Sequence, residues 1–342
     1  MNILRTLFPE SREIFRRTAQ KAEKAEKVEC KPQRGNVYTI NGKSIISIVR
    51  TNNRIEGILK AVEGIGGINK ILNNTYERIL IKPNCNSHDP FPASTHPETL
   101  KTILELLIKN GVPREKIVIG DMSGPSWLPT KKTMELNGIL NVAKEYDIKV
   151  SFFEEEDWVW VKPDKATTWP NGFRIAKTVY EADRIISLPC LKTHQFGGIF
   201  TLSLKNSIGI INPADRSYMH NSPRMRELIA EINLAYTADL IILDGMKCFI
   251  SGGPAHGEEA EPGLIIAGGD RVAIDSIGAA ILKYYNSVGL TERKVHEQEQ
   301  IRRAYEIGLG KMKIDEIELK TFNMIEDEKF RDLIDFINKE LR

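Results

Sequence analysis

Short apolar runs of strand length recur along this chain, and stretches with helical periodicity separate them. The runs fall at residues 78–82, 116–120, 149–153, 184–188, 239–243 and 264–267, with a further short strand at 44–49. Helical patterns fall at 54–62, 97–110, 131–146, 271–284, 297–308 and 327–341. Strands this uniformly apolar are covered on both faces, and the helices between them have the length of crossover connections. The pattern predicts an α/β fold with a mainly parallel sheet and crossover helices. Pro97 suits a first helical turn and Gly111 a helix end, which brackets the helix at 97–110.

At 342 residues the chain fits one large domain, or two fused lobes around a central crevice. The expected organisation has three parts. Residues 1–43 form a charged helix and linker, 44–310 the α/β domain, and 311–342 a strand and helix packed on it. An aromatic excursion at 158–175 reads as a hairpin covering the sheet edge. Its Trp158, Trp160, Trp169 and Phe173 read as core cover rather than a partner surface.

Lys plus Arg (48) nearly equals Asp plus Glu (46), so no electrostatic reason points to nucleic acid or a membrane surface. No apolar run reaches roughly eighteen residues, the length a membrane helix needs. The first twenty residues lack the apolar region and cleavage site of a secretory signal. A cytoplasmic protein is expected, with self-association left open. Cys30, Cys85, Cys190 and Cys248 are scattered, which excludes a Cys-x-x-Cys motif and the clustered thiolates of an iron–sulfur centre. They fit a reducing compartment. The sequon at 73–75 then carries no weight.

In parallel sheets, ligands bind beyond the carboxyl ends of the strands. Those positions here are polar: Lys82 with Asn84, then Asp121 with Ser123, Gly124, Pro125 and Ser126, then Lys192 with Thr193 and His194, then Asp244. Lys205 and Asn206 follow, His220 comes after a Pro/Asp/Arg/Ser turn, and Gly252 and Gly253 open a glycine-rich loop. Two chemistries suit such a set. In one, His194, His220 and Lys192 are catalytic, and an anionic substrate or cofactor sits on Lys82, Asn84, Ser123, Gly124, Lys205, Asn206, Gly252 and Gly253. In the other, a divalent metal sits on His194, Asp121, Asp244 and Cys190. Asp270 reads as a helix N-cap and Asp275 as a buried carboxylate. The glycines at 64–67 follow a helix, not a strand, and are no dinucleotide fingerprint.

In this order, the segments Leu80-Ile81-Lys82-Pro83-Asn84, Gly120-Asp121-Met122-Ser123-Gly124, Leu188 to His194, Leu204 to Gly209, His220, Asp244-Gly245, Gly252-Gly253-Pro254 and Arg271 to Asp275 resemble the family DUF362. The resemblance implies the architecture and the crevice, but no reaction. Relatives are often fused to a ferredoxin-type module. This sequence has no such cysteine cluster, so electrons would come from a separate electron-transfer protein. Lys192-Thr193-His194, Lys205, Gly209 and His220 are also similar to a Lys-Pro-His, Lys-Met, Gly, His series in the lactate racemase-like superfamily. Those enzymes use a nickel-pincer nucleotide, with histidines for proton transfer and lysine for cofactor attachment or substrate binding. Thr193 in place of proline and Asn206 after Lys205 are departures. The expected functions are an enzyme acting on a small anion, isomerase-, racemase- or oxidoreductase-like, or a non-catalytic carrier of a metal or cofactor.

Overall fold

Among the described residues, which are 9–72, 76–124 and 128–342 of a computed structural model, the apolar runs join in a twelve-stranded sheet. Its main path runs Ile317–Asn323, Lys43–Arg50, Leu264–Gly268, Leu240–Gly252, Arg184–Leu188, Ile79–Pro83, Ile117–Asp121, Lys149–Phe152. Leu264–Gly268 runs antiparallel to both neighbours, and the other pairs on the path are parallel. The mainly parallel α/β fold is the one expected. The sequon at 73–75, and Pro125 with Ser126, lie outside the described residues.

Alternate residues of each strand enter different cores. Ile79 and Ile81 join one, Leu80 the other; Ile117 and Ile119 join the first, Val118 the second. This is the period of two expected of a pleated strand covered on both sides. On the first face lie Arg54–Gly64 and Pro97–Lys109. The second helix buries Leu100, Ile103, Leu104 and Leu107, the spacing of one helical stripe. Each of these side chains contributes about 1.5–3 kcal/mol by leaving water. His96 caps that helix, its Nδ1 accepting from the Glu98 N–H at 3.2 Å. On the second face lie Met225–Ile232, Arg271–Tyr284, Glu299–Glu306 and Lys329–Glu340. Asp270 caps Arg271–Tyr284 by accepting from the Val272 and Ala273 N–H groups, each at 3.0 Å.

Several expectations need correction. The helix foreseen at 131–146 is two, Thr130–Leu136 and Ile139–Glu145, broken at Gly138 with φ 84°. That conformation is open to glycine and ends the first helix. The aromatic hairpin, Trp158–Val161 with Phe173–Ala176, pairs with Glu26–Lys27 in a separate small sheet. Its Trp158, Val159, Phe173 and Ile175 share a core with Leu80, Val118 and Ile185, so it covers a face rather than the edge. Residues after Pro189 are not a loop. Cys190–His194 is a second strand, parallel to the 13-residue Leu240–Gly252, which runs well past the foreseen end at 243. Pro189 has no N–H to give a ladder, so one apolar run became two strands.

Candidate functional site

Lys82, Asn84, Asp121 and Asn206 form a buried hydrogen-bonded knot at the strand ends. Lys82 Nζ donates to Asp121 Oδ1 at 2.7 Å, to the Pro83 carbonyl at 3.0 Å and to Asn206 Oδ1 at 3.2 Å. Asp121 Oδ2 accepts the Cys85 N–H at 2.7 Å. Asn206 Oδ1 also accepts from Asn84 Nδ2 at 3.2 Å, and its Nδ2 donates to Ser187 Oγ at 2.9 Å. The knot needs Gly209: a Cβ there would lie 1.9 Å from Asp121 Oδ1.

Lys192 sits next to this knot, in the strand Cys190–His194, with no exposed surface. Its ammonium donates to Asn84 Oδ1 at 3.2 Å, the Pro254 carbonyl at 3.1 Å and the Ala93 carbonyl, all neutral oxygens. Arg216 is the residue that sequence reading missed. It is buried, and its guanidinium donates to the carbonyls of Ile208 (2.8 Å), Ser123 (2.6 Å) and Met122 (3.1 Å). A signal was available: Arg216 stands four residues before His220, so a helix through both puts them on one face. His220 does not follow a turn. It ends the helix Pro213–His220, begun by Asn212 as cap and Pro213 in the first turn. His220 Nδ1 lies 2.8 Å from the Arg216 carbonyl. A carbonyl only accepts, so Nδ1 carries the hydrogen and Nε2 is left with its lone pair.

Lys205 differs from the other buried lysines. It lies in the short helix Ser203–Asn206, only 7% exposed, and no hydrogen bond holds its ammonium among the described residues. Asp275 positions that helix by accepting the Ser203 N–H at 2.8 Å and the Leu204 N–H at 3.1 Å. Lys205 Cε and His194 Nδ1 lie 2.6 and 3.1 Å from the place a Gly198 Cβ would occupy, so the two side chains meet under this glycine. His194 Nδ1 is buried without a partner. Above them the exposed residues Gln195, Phe196 and Gly197 form the outer wall, and Phe196 meets the His194 ring edge-on at 5.8 Å between centroids.

Burial dominates the electrostatics. It pushes Lys205 down to about 7, helped by the charges of Lys192 and Arg216. It pushes Lys192 down to about 8 and Arg216 down to about 10. Burial, then the Lys205 and Lys192 charges, hold His194 well below the imidazole range. Burial and Lys205 also lower His220, although that side chain keeps contact with solvent. Both imidazoles are therefore neutral near pH 7. Lys192, Lys205 and Arg216 are held by neutral oxygens or by nothing; the carboxylates whose charges reach them, Asp89 at Lys192 and Asp121 and Glu154 at Arg216, make no hydrogen bond to them.

The structure therefore brings together Lys82, Asn84, Asn206, Lys192, His194, Lys205 and His220. It does not bring together the expected metal set. Among the described residues no three His, Cys, Asp or Glu side chains converge as ligands. Asp121 is bonded to Lys82. Asp244 accepts from Thr99 Oγ1 at 2.6 Å and Arg54 Nε at 2.9 Å, tying the sheet to the first-face helices. Burial raises the Cys190 thiol to about 12, far from the thiolate a metal takes. Gly252 and Gly253 form no anion nest either. They lie in a tight turn between Leu240–Gly252 and Gly257–Ala260, and the Gly253 N–H donates to the His256 carbonyl at 2.7 Å. The Ser123 hydroxyl donates to the Leu128 carbonyl, and the Gly124 N–H to the Asn86 carbonyl. A surface cleft of about 290 Å³ lies elsewhere, by Arg78, Lys149, Glu156 and Glu181. Its Arg78 and Glu181 already pair, so it lacks the unbalanced charge of the buried site.

No described helix is long and apolar enough to cross a membrane. A thylakoid-associated protein of Synechocystis sp. is 28% identical over 250 residues, which span 70% of this chain and 74% of that protein. Among solved structures, the lactate racemase apoprotein of Thermoanaerobacterium thermosaccharolyticum aligns at 14% identity with a TM-score of 0.35. That alignment takes in 63% of this chain and about half, 52%, of the racemase. Residues 79–280, more than half of the sequence, match the family described as a domain of unknown function, DUF362. They include every residue of the knot and the cation cluster, and the chain belongs to the DUF362 family.

Proposed function

We propose that this protein is an enzyme that takes up a small organic anion beside Lys205 and moves a proton on it with His194 and His220. One observation carries the reading. Lys192, Lys205 and Arg216 are buried together, and none has a carboxylate among its hydrogen-bond partners. A buried charge with no carboxylate bonded to it is unfavourable by several kcal/mol, and among the described residues Lys205 has no carboxylate acting on it at all. A bound carboxylate or phosphate offsets that cost, and Lys205 is the cation with donors left for it. Neutral His194 with an unpartnered nitrogen, and His220 with Nε2 available, suit proton transfer near neutral pH. Clustered perturbed groups of this kind are the arrangement expected of a functional site. A carrier protein would need the cations but not two neutral imidazoles beside them.

The test is calorimetric titration with oxalate and with lactate. Saturable binding that falls at least tenfold in Lys205→Met, with the folded state intact by circular dichroism, is the expected result. Equal binding by the parent and the variant, or none by either, would remove this reading. Turnover, followed as exchange of the lactate Cα hydrogen in deuterium oxide, should then vanish in His194→Gln; binding without any exchange would leave only the carrier.

A further inference from the structure

Three lysines are buried in the site, and their surroundings sort them. Lys82 is ion-paired with Asp121, and Lys192 donates to three oxygens. Both nitrogens are occupied and have no lone pair to offer. Lys205 has no acceptor among the described residues, and its helix is anchored from below by Asp275. Gly198 packs closely on Lys205, since a Cβ there would lie 2.6 Å from Lys205 Cε and 3.1 Å from His194 Nδ1, so the glycine holds the two side chains side by side.

We propose that Lys205 is a nucleophile that condenses with the carbonyl of a small 2-oxo acid to form an imine. This rests on the anion-binding reading and adds the class of substrate. The substrate carboxylate lies in the field of Lys192 and Arg216. Its carbonyl carbon is then the atom next along the chain, facing Lys205 Nζ. The nitrogen lone pair forms the C–N bond, the two protons of the neutral amine pass to the carbonyl oxygen, and that oxygen leaves as water. His194, neutral and unpartnered, relays a proton between the nitrogen and the oxygen. A lysine desolvated among other cations is held partly as the free amine near neutral pH, as this one is at about 7. The groups facing it are Lys192, Arg216, His194 and His220, with no carboxylate among the charges that move its proton.

The experiment incubates the full chain with pyruvate, 2-oxobutyrate or 2-oxoglutarate and cyanoborohydride, then maps the reduced adduct by peptide mass spectrometry. Calorimetry with the same acids and with oxalate runs alongside. The expected result is one adduct per chain, on Lys205, with at least one of the three acids. Saturable binding with no adduct, or with adducts only on other lysines, overturns the imine and leaves the anion site standing. Absence of both binding and adduct overturns the two together.

Discussion

Lys82 and Asp121 form a buried ion pair at 2.7 Å whose only room is the missing side chain of Gly209. A Cβ there would stand 1.9 Å from Asp121 Oδ1 and 2.8 Å from Lys82 Nζ. Gly209→Ala should therefore push the pair apart. Asp121→Asn removes the charge but not the shape, leaving Lys82 buried and unpaired. Each is expected to lower stability by about 3–5 kcal/mol. Urea unfolding followed by circular dichroism checks this, and a change under ~1 kcal/mol would mean that the pair is not buried as described.

Lys192 and Lys205 should respond to the same substitution with opposite signs. Lys192→Met strands three buried oxygens that accept from its ammonium, at a cost of about 1–3 kcal/mol for each left unpaired. Lys205→Met strands none and replaces a desolvated amine with an apolar chain. That variant is expected to be more stable than the parent by about 1–3 kcal/mol, while losing function. Thermal and urea melts of the two variants decide it, and two losses of similar size would contradict the distinction.

Stability should also depend on pH through Lys205. The amine is pushed down from 10.5 to about 7 in the folded chain. Between those values the unfolded chain holds the proton and the folded chain does not. The contribution of this group to stability therefore rises with pH across that window and is flat below it. The part of the slope between about 7 and 8 should disappear in Lys205→Met, while Lys192, lowered to about 8, still contributes above it. His194 and His220, also lowered, add a slope of the same sign below pH 6.5. Unfolding curves at a series of pH values measure both.

Anion binding should show the reverse slope. Oxalate stays fully ionised over the neutral range, so protonation of Lys205 governs the change. Affinity should rise roughly thirtyfold as pH falls from about 8.5 to about 6, following the protonated fraction of a group at about 7. Imine trapping, which needs the free amine, should fall over the same interval. Calorimetry and adduct yield at matched pH separate the two, and parallel trends would count against Lys205 as the titrating group.

Asp275 holds the N–H groups of Ser203 and Leu204 and so sets where Lys205 stands. Asp275→Ala is expected to cost about 1–3 kcal/mol and to weaken oxalate binding more than tenfold without touching the ligand. Recovery of binding in Asp275→Asn, which keeps an acceptor at that place, would distinguish positioning from charge.

How much of this was legible beforehand follows from the range of each interaction. The strands at 79–83, 117–121 and 184–188 could be read from local apolar runs, because two covered faces leave no polar alternation. The cap at Asp270 could be read because its partners are two and three residues away. Lys82, Asn84, Lys192 and His194 could be placed near one crevice, because strand ends in a parallel sheet share a side. The metal set could not be judged the same way. Asp244 faces Arg54 and Thr99, residues 190 and 145 positions distant, and no local pattern reports that. The sequence by itself determined a parallel sheet with lysines and histidines beyond its strand ends. Only the tertiary structure decided which lysine is paired, because pairing depends on oxygens supplied by distant loops. That is why Lys82 found Asp121, Lys192 found Asn84, Ala93 and Pro254, and Lys205 found no partner among the described residues.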